Sequence, residues 1–161
     1  MRWLLLALPL AACGGVEPAA TDTSAGARLE AAATQAGMIA DPKGSIHGSW
    51  ARDTDRVCVV DSGNGSSRIG ATVDYGDGHG CAAAGTVSRS GERLRVAFGG
   101  CRFEARFDGD RIAFPAELPP ACDALCTGRA SLGALTVERL SQSRAEASTL
   151  RSAKGQLLCD D

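Results

Sequence analysis

The fold of this chain is decided by the stretch from Cys81 to Phe114, which reads CAAAGTVSRSGERLRVAFGGCRFEARFDGDRIAF. Apolar and polar residues alternate along it, and the alternating runs are separated by Ser90-Gly91, Gly99-Gly100 and Asp108-Gly109. Alternation with a period of two is typical of a strand with one buried face, and short glycine-containing breaks indicate hairpin turns. The stretch therefore predicts consecutive antiparallel strands.

The positions of these turns predict which residues face each other across the strands. In this register the large apolar side chains share one face of the sheet and the arginines share the other. A slip of one residue would bury charge, so the register is strongly specified. The predicted pairs are Val87 with Leu94, Gly85 with Val96, Phe98 with Cys101, Val96 with Phe103, Arg95 with Glu104, Ala105 with Ile112 and Phe103 with Phe114.

The same pattern extends toward the N-terminus of the domain. Alternating residues from Ile69 to Tyr75 predict one more strand, and two further candidate strands lie around residues 46–52 and 56–60. A sheet with one solvent-exposed face and one apolar face is typical of an antiparallel meander. We therefore expect a small antiparallel β-meander or barrel-like sheet.

The C-terminal third has a different period. Pro119-Pro120 precedes a predicted short helix over residues 121–127, because proline suits the first turn of a helix. Ser143-Arg144-Ala145-Glu146 is a capping-box pattern for a second helix that Gly155 would stop. Residues 45–161 are therefore predicted to form a mainly β (α+β), disulfide-stabilised domain, with short C-terminal helices covering its apolar face.

Six cysteines lie within this domain, and an even number in a small exported domain indicates a disulfide framework. Six cysteines allow 15 pairings, and the sequence does not choose among them. The register places Cys81 and Cys101 at the same end of the apolar face, which makes a bridge between them one candidate. A zinc site is disfavoured because Cys122 and Cys126 form one close pair without a second. The disulfide candidates are Cys58, Cys81, Cys101, Cys122, Cys126 and Cys159.

The chain begins MRWLLLALPLAAC, in which a positive residue and a short apolar run precede small residues. This layout is typical of a secretory signal. The stretch Leu10-Ala11-Ala12-Cys13 resembles the bacterial lipobox. The resemblance implies a signal peptide over residues 1–12, a lipid on Cys13 and a membrane contact through that lipid. Gly14 in place of aspartate implies an outer-membrane lipoprotein facing the periplasm or the cell surface.

An ordinary secretory signal cut near Ala12 is the alternative for the same residues. Residues 13–44 are predicted to hold the lipidated N-terminus, a tether rich in small residues and a short helix over 27–36.

The tripeptide Gly48-Ser49-Trp50, followed by a β-meander, resembles the opening of lipocalin-like and exported protease-inhibitor barrels. The resemblance implies a barrel-like architecture. It carries over no ligand-binding or inhibitory residue.

The composition does not suggest a nucleic-acid footprint, because the chain has 17 basic and 19 acidic residues, and its arginines are interspersed with acids. The loop Asp74-Tyr75-Gly76-Asp77-Gly78-His79-Gly80 is the most site-like segment, with Asp74, Tyr75, Asp77 and His79 as candidate ligand contacts. It lacks the spacing of an EF-hand, so no metal or cofactor is assigned. An ordinary hairpin loop is the alternative explanation.

Catalytic residues are not assigned, because neither His47 nor His79 lies beside a recognisable nucleophile motif. The sequence favours a lipid-anchored binding or structural module over an enzyme. Its expected partner is an envelope protein or the cell wall, with inhibition of a hydrolase as one form of that binding. The alternative is a hydrolase or metal-binding domain centred on the Asp74–His79 loop.

Overall fold

The computed structural model describes residues 23–36, 38, 41, 43–63 and 66–160. Within them, eight antiparallel strands form a closed barrel in which each strand pairs with the next and the last pairs with the first. The prediction of a mainly β, barrel-like sheet is confirmed. The strands are β1 (Gly48–Arg52), β2 (Asp55–Asp61), β3 (Ser67–Asp74), β4 (Gly80–Ser90), β5 (Arg93–Phe98), β6 (Cys101–Phe107), β7 (Arg111–Ala113) and β8 (Thr136–Ser141).

The chain divides into two compact units, residues 1–39 and residues 40–161. In the first unit a helix, α1 (Thr23–Gln35), occupies the region where the sequence predicts a short helix over 27–36. The predicted signal 1–12, Cys13 and the start of the tether lie outside the described residues. None of the helices described in this structure is long and apolar enough to cross a bilayer.

The predicted register is confirmed at one turn and wrong at two. Arg95 faces Glu104 across β5 and β6, and the two side chains form an ion pair of 3.7 Å. Val87 faces Val96 rather than Leu94, and Ile112 faces Phe107 rather than Ala105. Both errors are shifts of two residues, so the apolar side chains keep their predicted face. Arg89 is an exception to the expectation for the arginines, because it lies opposite the inward Leu94 and over the Phe107 ring.

The physical reason for both shifts is the position of glycine in the turn. Gly91 has φ of 65° and Gly109 has φ of 101°, and each takes the first central position of its two-residue turn. In the second turn Asp108 accepts hydrogen bonds from the backbone N–H groups of Asp110 and Arg111, at 3.2 and 2.8 Å. Glycine at this position is typical of the turns that match the twist of a hairpin.

The barrel closes where β1 meets β8, and Gly48 permits this closure. A Cβ atom on Gly48 would overlap the carbonyl oxygen of Ser141, and φ at Gly48 is 129°. Two residues further on, Trp50 is fully buried inside the barrel, with its ring edge against Phe107 at a centroid distance of 5.8 Å. The tripeptide Gly48-Ser49-Trp50 therefore has two roles, close approach of two strands and filling of the interior.

The interior of the barrel is filled by inward side chains from all eight strands. A second aromatic group, Phe98, Phe103 and Phe114, has centroid distances of 4.7 to 6.4 Å. Burial of this apolar surface is the main favourable term in folding. The largest buried side chains are Trp50, Phe107, Ile69, Leu94, Ile112, Leu132, Val57, Val59, Val60, Val87, Val96 and Val137; all but Leu132 and Val60 belong to the strands' inward faces.

The barrel end at which β1 begins is covered by residues 44–47 and by two inward arginines. The guanidinium of Arg89 lies 4.5 Å from the ring centroid of Phe107 and donates to the carbonyl of Gly44. Arg139 lies over Trp50 at 4.1 Å. Burial lowers the pKa of Arg139 from its ordinary value, Asp110 counteracts the shift and Arg89 adds to it.

The opposite end is covered by the cap loop, residues 115–135, which contains a 3₁₀ helix over Pro120–Leu125. Two disulfides, Cys81–Cys126 and Cys101–Cys122, tie the cap loop to β4 and β6. The candidate bridge between Cys81 and Cys101 is therefore wrong. Strand β5 lies between these two cysteines, and each bonds to a cysteine of the loop that crosses the barrel end.

The C-terminal segment packs outside the barrel, on β2 and β3. Helix α2 (Arg144–Ala147) begins at Ser143, whose hydroxyl accepts a hydrogen bond from the N–H of Glu146. The predicted extent of this helix toward Gly155 is wrong, because the chain reverses and Arg151 forms a β-bridge with Leu157. The sequence predicts that the C-terminal helices cover the apolar face of the sheet. Because the sheet closes into a barrel, that face lies inside, and α2 packs on the outer face instead. Its contacts form a second small core of Cys58, Val60, Ala147, Leu158 and Cys159.

Gly70 on β3 makes this packing of the C-terminal segment possible. A Cβ atom there would lie 2.5 Å from Cβ of Leu158 and 2.8 Å from Sγ of Cys58. The third disulfide, Cys58–Cys159, links residues separated by 101 positions and fastens the segment to β2.

Candidate functional site

The loop between β3 and β4, residues 75–79, is a tight turn with an uncommon backbone. Gly76, Asp77 and Gly78 have consecutive positive φ angles of 78°, 52° and 78°. The N–H of Tyr75 donates to the carbonyl of His79, and the N–H of His79 donates to the carbonyl of Gly76, both at 2.9 Å. A positive φ at a non-glycine residue costs conformational energy, and such residues cluster at functional sites.

The cap loop holds this turn in place through Thr127. The hydroxyl of Thr127 donates to the carbonyl of Gly78 at 2.7 Å and accepts from the N–H of Gly80 at 3.2 Å. The N–H of Thr127 donates to the carbonyl of Gly80 at 2.8 Å. The residue before Thr127, Cys126, is bonded to Cys81. The C-terminal end of the β3–β4 loop is therefore held both by the hydrogen bonds of Thr127 and by a disulfide.

The next residues of the cap loop contact the imidazole of His79. The N–H of Arg129 donates to Nδ1 of His79 at 3.3 Å, so Nδ1 is the acceptor and Nε2 carries the proton in the neutral ring. Gly128 has φ of 65°, and a Cβ atom on it would overlap the His79 ring. Glycine at this position lets the imidazole approach the backbone closely.

Tyr75, Asp77, His79 and Arg129 line a pocket of about 270 Å³ at this barrel end. We call these four residues the loop site. Tyr75 is 60% exposed, and the other three side chains are exposed as well. The site thus presents an aromatic ring, an imidazole and one charge of each sign to solvent on a backbone held by hydrogen bonds.

The structure brings three of the four predicted contact residues together. Asp74 has a structural role instead, because its carboxylate accepts from the N–H of Gly76 at 2.9 Å and shapes the turn. Arg129 was missed, since it lies 50 residues beyond His79 in the sequence. The one local signal for it was glycine at 128, after a short helix.

The loop site has little of what a metal or hydrolase centre needs. Among the described residues, no three His, Cys, Asp or Glu side chains are grouped as metal ligands. The hydroxyl of Thr127, which holds this turn, already donates to the carbonyl of Gly78. A nucleophile needs a base within hydrogen-bond reach, and His79 accepts a backbone hydrogen bond instead.

The other histidine, His47, does contact a serine. Its Nε2 lies 2.8 Å from Oγ of Ser67, and its carbonyl oxygen accepts from Arg139 at 3.4 Å. Ser67 is 9% exposed, and no carboxylate within the described ranges forms a hydrogen bond with His47. The pair lacks the third group that orients a catalytic imidazole, and it ties residues 44–47 to the start of β3.

This chain matches no protein-family model, no curated protein sequence and no solved structure.

Proposed function

We propose that this chain is a lipid-anchored envelope protein whose barrel acts as a binding module, with the loop site as its contact for a protein partner. The observation that carries the proposal is the exposed cluster of Tyr75, Asp77, His79 and Arg129 on a turn fastened by Thr127 and by the Cys81–Cys126 bridge. A binding module of this kind needs no catalytic group.

The composition of the loop site supports a protein partner. Tyrosine and arginine are enriched among the residues that dominate binding energy in protein interfaces. Tyr75 offers a large ring at low entropy cost, and Asp77 and Arg129 offer charge pairing that selects orientation. Because the turn is already ordered, binding loses little conformational entropy.

The filled interior of the barrel also supports surface binding. Inward side chains occupy the space between the strands, and residues 44–47 and the cap loop cover the two ends. A barrel that carries a small molecule needs an interior cavity with an open mouth. We therefore favour recognition through exposed loops over transport of a ligand within the barrel.

The partner assay compares the full chain with Tyr75→Ala/Arg129→Ala in crosslinking and pull-down from envelope extract. Leu140→Ala is the matched control, because Leu140 is also 60% exposed but lies on β8. We expect to capture a protein that binds the control as tightly as it binds the parent chain. The same protein should bind Tyr75→Ala/Arg129→Ala at least roughly tenfold more weakly. Equal capture by all three chains would refute the loop site.

The anchor is tested separately through Cys13→Ala. If the lipobox resemblance is functional, the parent chain carries a mass increase on Cys13 and fractionates with the outer membrane. The variant should lose both the modification and the membrane fractionation. Normal processing and fractionation of Cys13→Ala would favour the ordinary secretory signal.

A further inference from the structure

The outer surface of the barrel carries a concentration of arginines on neighbouring strands. We call this surface the arginine face. It comprises Arg68 on β3, Arg93 and Arg95 on β5, and Arg102 and Arg106 on β6. Two glutamates accompany them, so the described face has an excess of three positive charges, although the whole chain is net negative.

A groove crosses the middle of the arginine face. Arg68 pairs with Thr86, Thr86 with Ala97, and Ala97 with Arg102, so one row across four strands has small residues between two arginines. At a strand spacing of about 4.8 Å, the Cα atoms of Arg68 and Arg102 are roughly 14 Å apart along the sheet. The groove has a volume of about 510 Å³, and Arg95 and Arg102 are the two arginines of the face that line it. Its other lining residues are Ser66, Thr86, Val87, Ser88, Val96, Ala97, Phe103 and Glu104.

The cations of this face are only partly neutralised. Arg95 is paired with Glu104 at 3.7 Å, and Arg106 with Glu92 at 3.6 Å. Within the described part of the chain, the side chains of Arg93 and Arg102 form no ion pair or hydrogen bond. Nε of Arg68 is shielded from solvent and has no hydrogen-bond partner.

One arrangement on this face is unfavourable for the isolated barrel. Arg93 lies directly opposite Arg106 on the adjacent strand. Like charges directly opposite each other destabilise a sheet. Glu92 offsets part of this repulsion through its ion pair with Arg106, and a negative ligand bound beside Arg93 would offset more of it.

We propose that the arginine face binds the phosphate groups of anionic phospholipids, so that strands β3–β6 lie against a bilayer surface. A guanidinium presents several N–H donors in a planar fork that matches phosphate oxygens. The small residues Thr86 and Ala97 beside Arg102 leave space for a headgroup. Basic clusters near a membrane are attracted to its negative surface, and the attraction falls with salt.

The choice of a membrane over an acidic protein rests on the proposed lipid on Cys13. A lipid on that residue keeps the domain close to the headgroups, which raises the effective concentration of any weak second contact. One acyl signal and one basic patch together are a common combination for stable membrane attachment. The face and the lipid are nevertheless separable in experiment.

The test uses the chain from residue 13 onward with Cys13→Ala, which keeps every described residue and removes the lipid. Cosedimentation is measured with vesicles of phosphatidylglycerol and phosphatidylethanolamine, and with vesicles of phosphatidylcholine alone. We expect binding to the anionic vesicles only, and loss of binding at high salt. Arg93→Gln/Arg102→Gln should weaken binding roughly thirtyfold. Each basic residue near an anionic membrane contributes roughly fivefold to the affinity, and this variant removes two of them.

The matched control is Lys43→Gln/Lys154→Gln, which removes the same charge from exposed positions outside the arginine face. It should bind the anionic vesicles like the parent chain, and no variant should melt at a lower temperature than the parent. Absence of vesicle binding, equal weakening by both double variants, or binding to polyglutamate but not to vesicles would each overturn the proposal. Because the loop site lies outside the groove, Tyr75→Ala/Arg129→Ala should bind vesicles normally, so the two proposals fail independently.

Discussion

The guanidinium of Arg139 lies over the indole of Trp50, with 4.1 Å between its central carbon and the ring centroid. The same guanidinium donates to the carbonyl of Ser45 at 2.6 Å and to that of Gly109 at 3.0 Å. The indole N–H of Trp50 donates to the carbonyl of Ile46 at 3.1 Å. This pair therefore joins β8, β1, the segment before β1 and the β6–β7 turn.

Arg139→Leu is expected to lower the free energy of unfolding by about 3 kcal/mol. It removes charge-assisted hydrogen bonds, each worth about 1.5–3 kcal/mol, and a cation–π contact of about 1–2 kcal/mol, partly offset by the apolar leucine. Urea denaturation measures the change. The control is Arg151→Leu, because Arg151 is exposed and donates to one carbonyl, that of Gly155. Equal stability of the two variants would contradict the role assigned to Arg139.

Gly70→Ala is expected to detach the C-terminal segment from the barrel. The added Cβ would lie 2.5 Å from Leu158, and the strand backbone leaves little room for adjustment. We expect a loss of at least about 1–3 kcal/mol and faster reduction of the Cys58–Cys159 bridge by dithiothreitol. Gly100→Ala is the control, because its Cβ would contact only Ala121, at 4.0 Å. Parent-like reduction of Gly70→Ala would show that the segment is not held there.

Removing the Cys81–Cys126 bridge with two alanines should loosen the loop site. The bonded residues are 45 positions apart, and a loop of this length corresponds to about 4 kcal/mol in the chain-entropy account. Hydrogen exchange should show reduced protection of the Tyr75 and His79 amides. In Cys58→Ala/Cys159→Ala, the barrel is also destabilised but these two amides should keep their protection relative to the rest of the barrel. Equal relative loss in both variants would argue against local fastening.

Asp55→Asn should stabilise the protein at neutral pH. Burial and the neighbouring Asp53 raise the pKa of Asp55, while Arg56 and Arg52 partly oppose the shift. A raised pKa means that the folded state binds the proton more tightly, so stability is lost as pH rises through the folded pKa. Asparagine removes that loss, and we expect a melting temperature about 1–2 °C higher at neutral pH.

The pH profile provides the check on this prediction. Below the ordinary pKa range of aspartate, the carboxyl is protonated in both states, and the difference between the two proteins should vanish. A lower melting temperature of Asp55→Asn at neutral pH, or a difference that persists at low pH, would contradict it.

The loop site shows which neighbouring residues a local sequence pattern can predict and which it cannot. Tyr75, Asp77 and His79 share one glycine-rich turn, so local sequence was enough to predict them as neighbours. Arg129 joins them because the cap loop crosses the barrel end and is bonded there through Cys126. No local pattern in the sequence indicates that these two segments, which are far apart along the chain, meet in space. The same reason explains why the sequence did not choose the cysteine pairs.

The sequence by itself determined which side chains point inward and which point outward. The period-two pattern depends only on the strand pleat, so it survived two turns whose register was wrong by two residues, and it set Arg93 and Arg102 on the outside. Tertiary structure alone decided that the sheet closes, because closure requires β1 and β8 to meet at Gly48, 93 positions before Ser141. Closure also turned the predicted apolar face into an interior. It left the five residues of the arginine face on the outer surface and brought Arg139 onto Trp50.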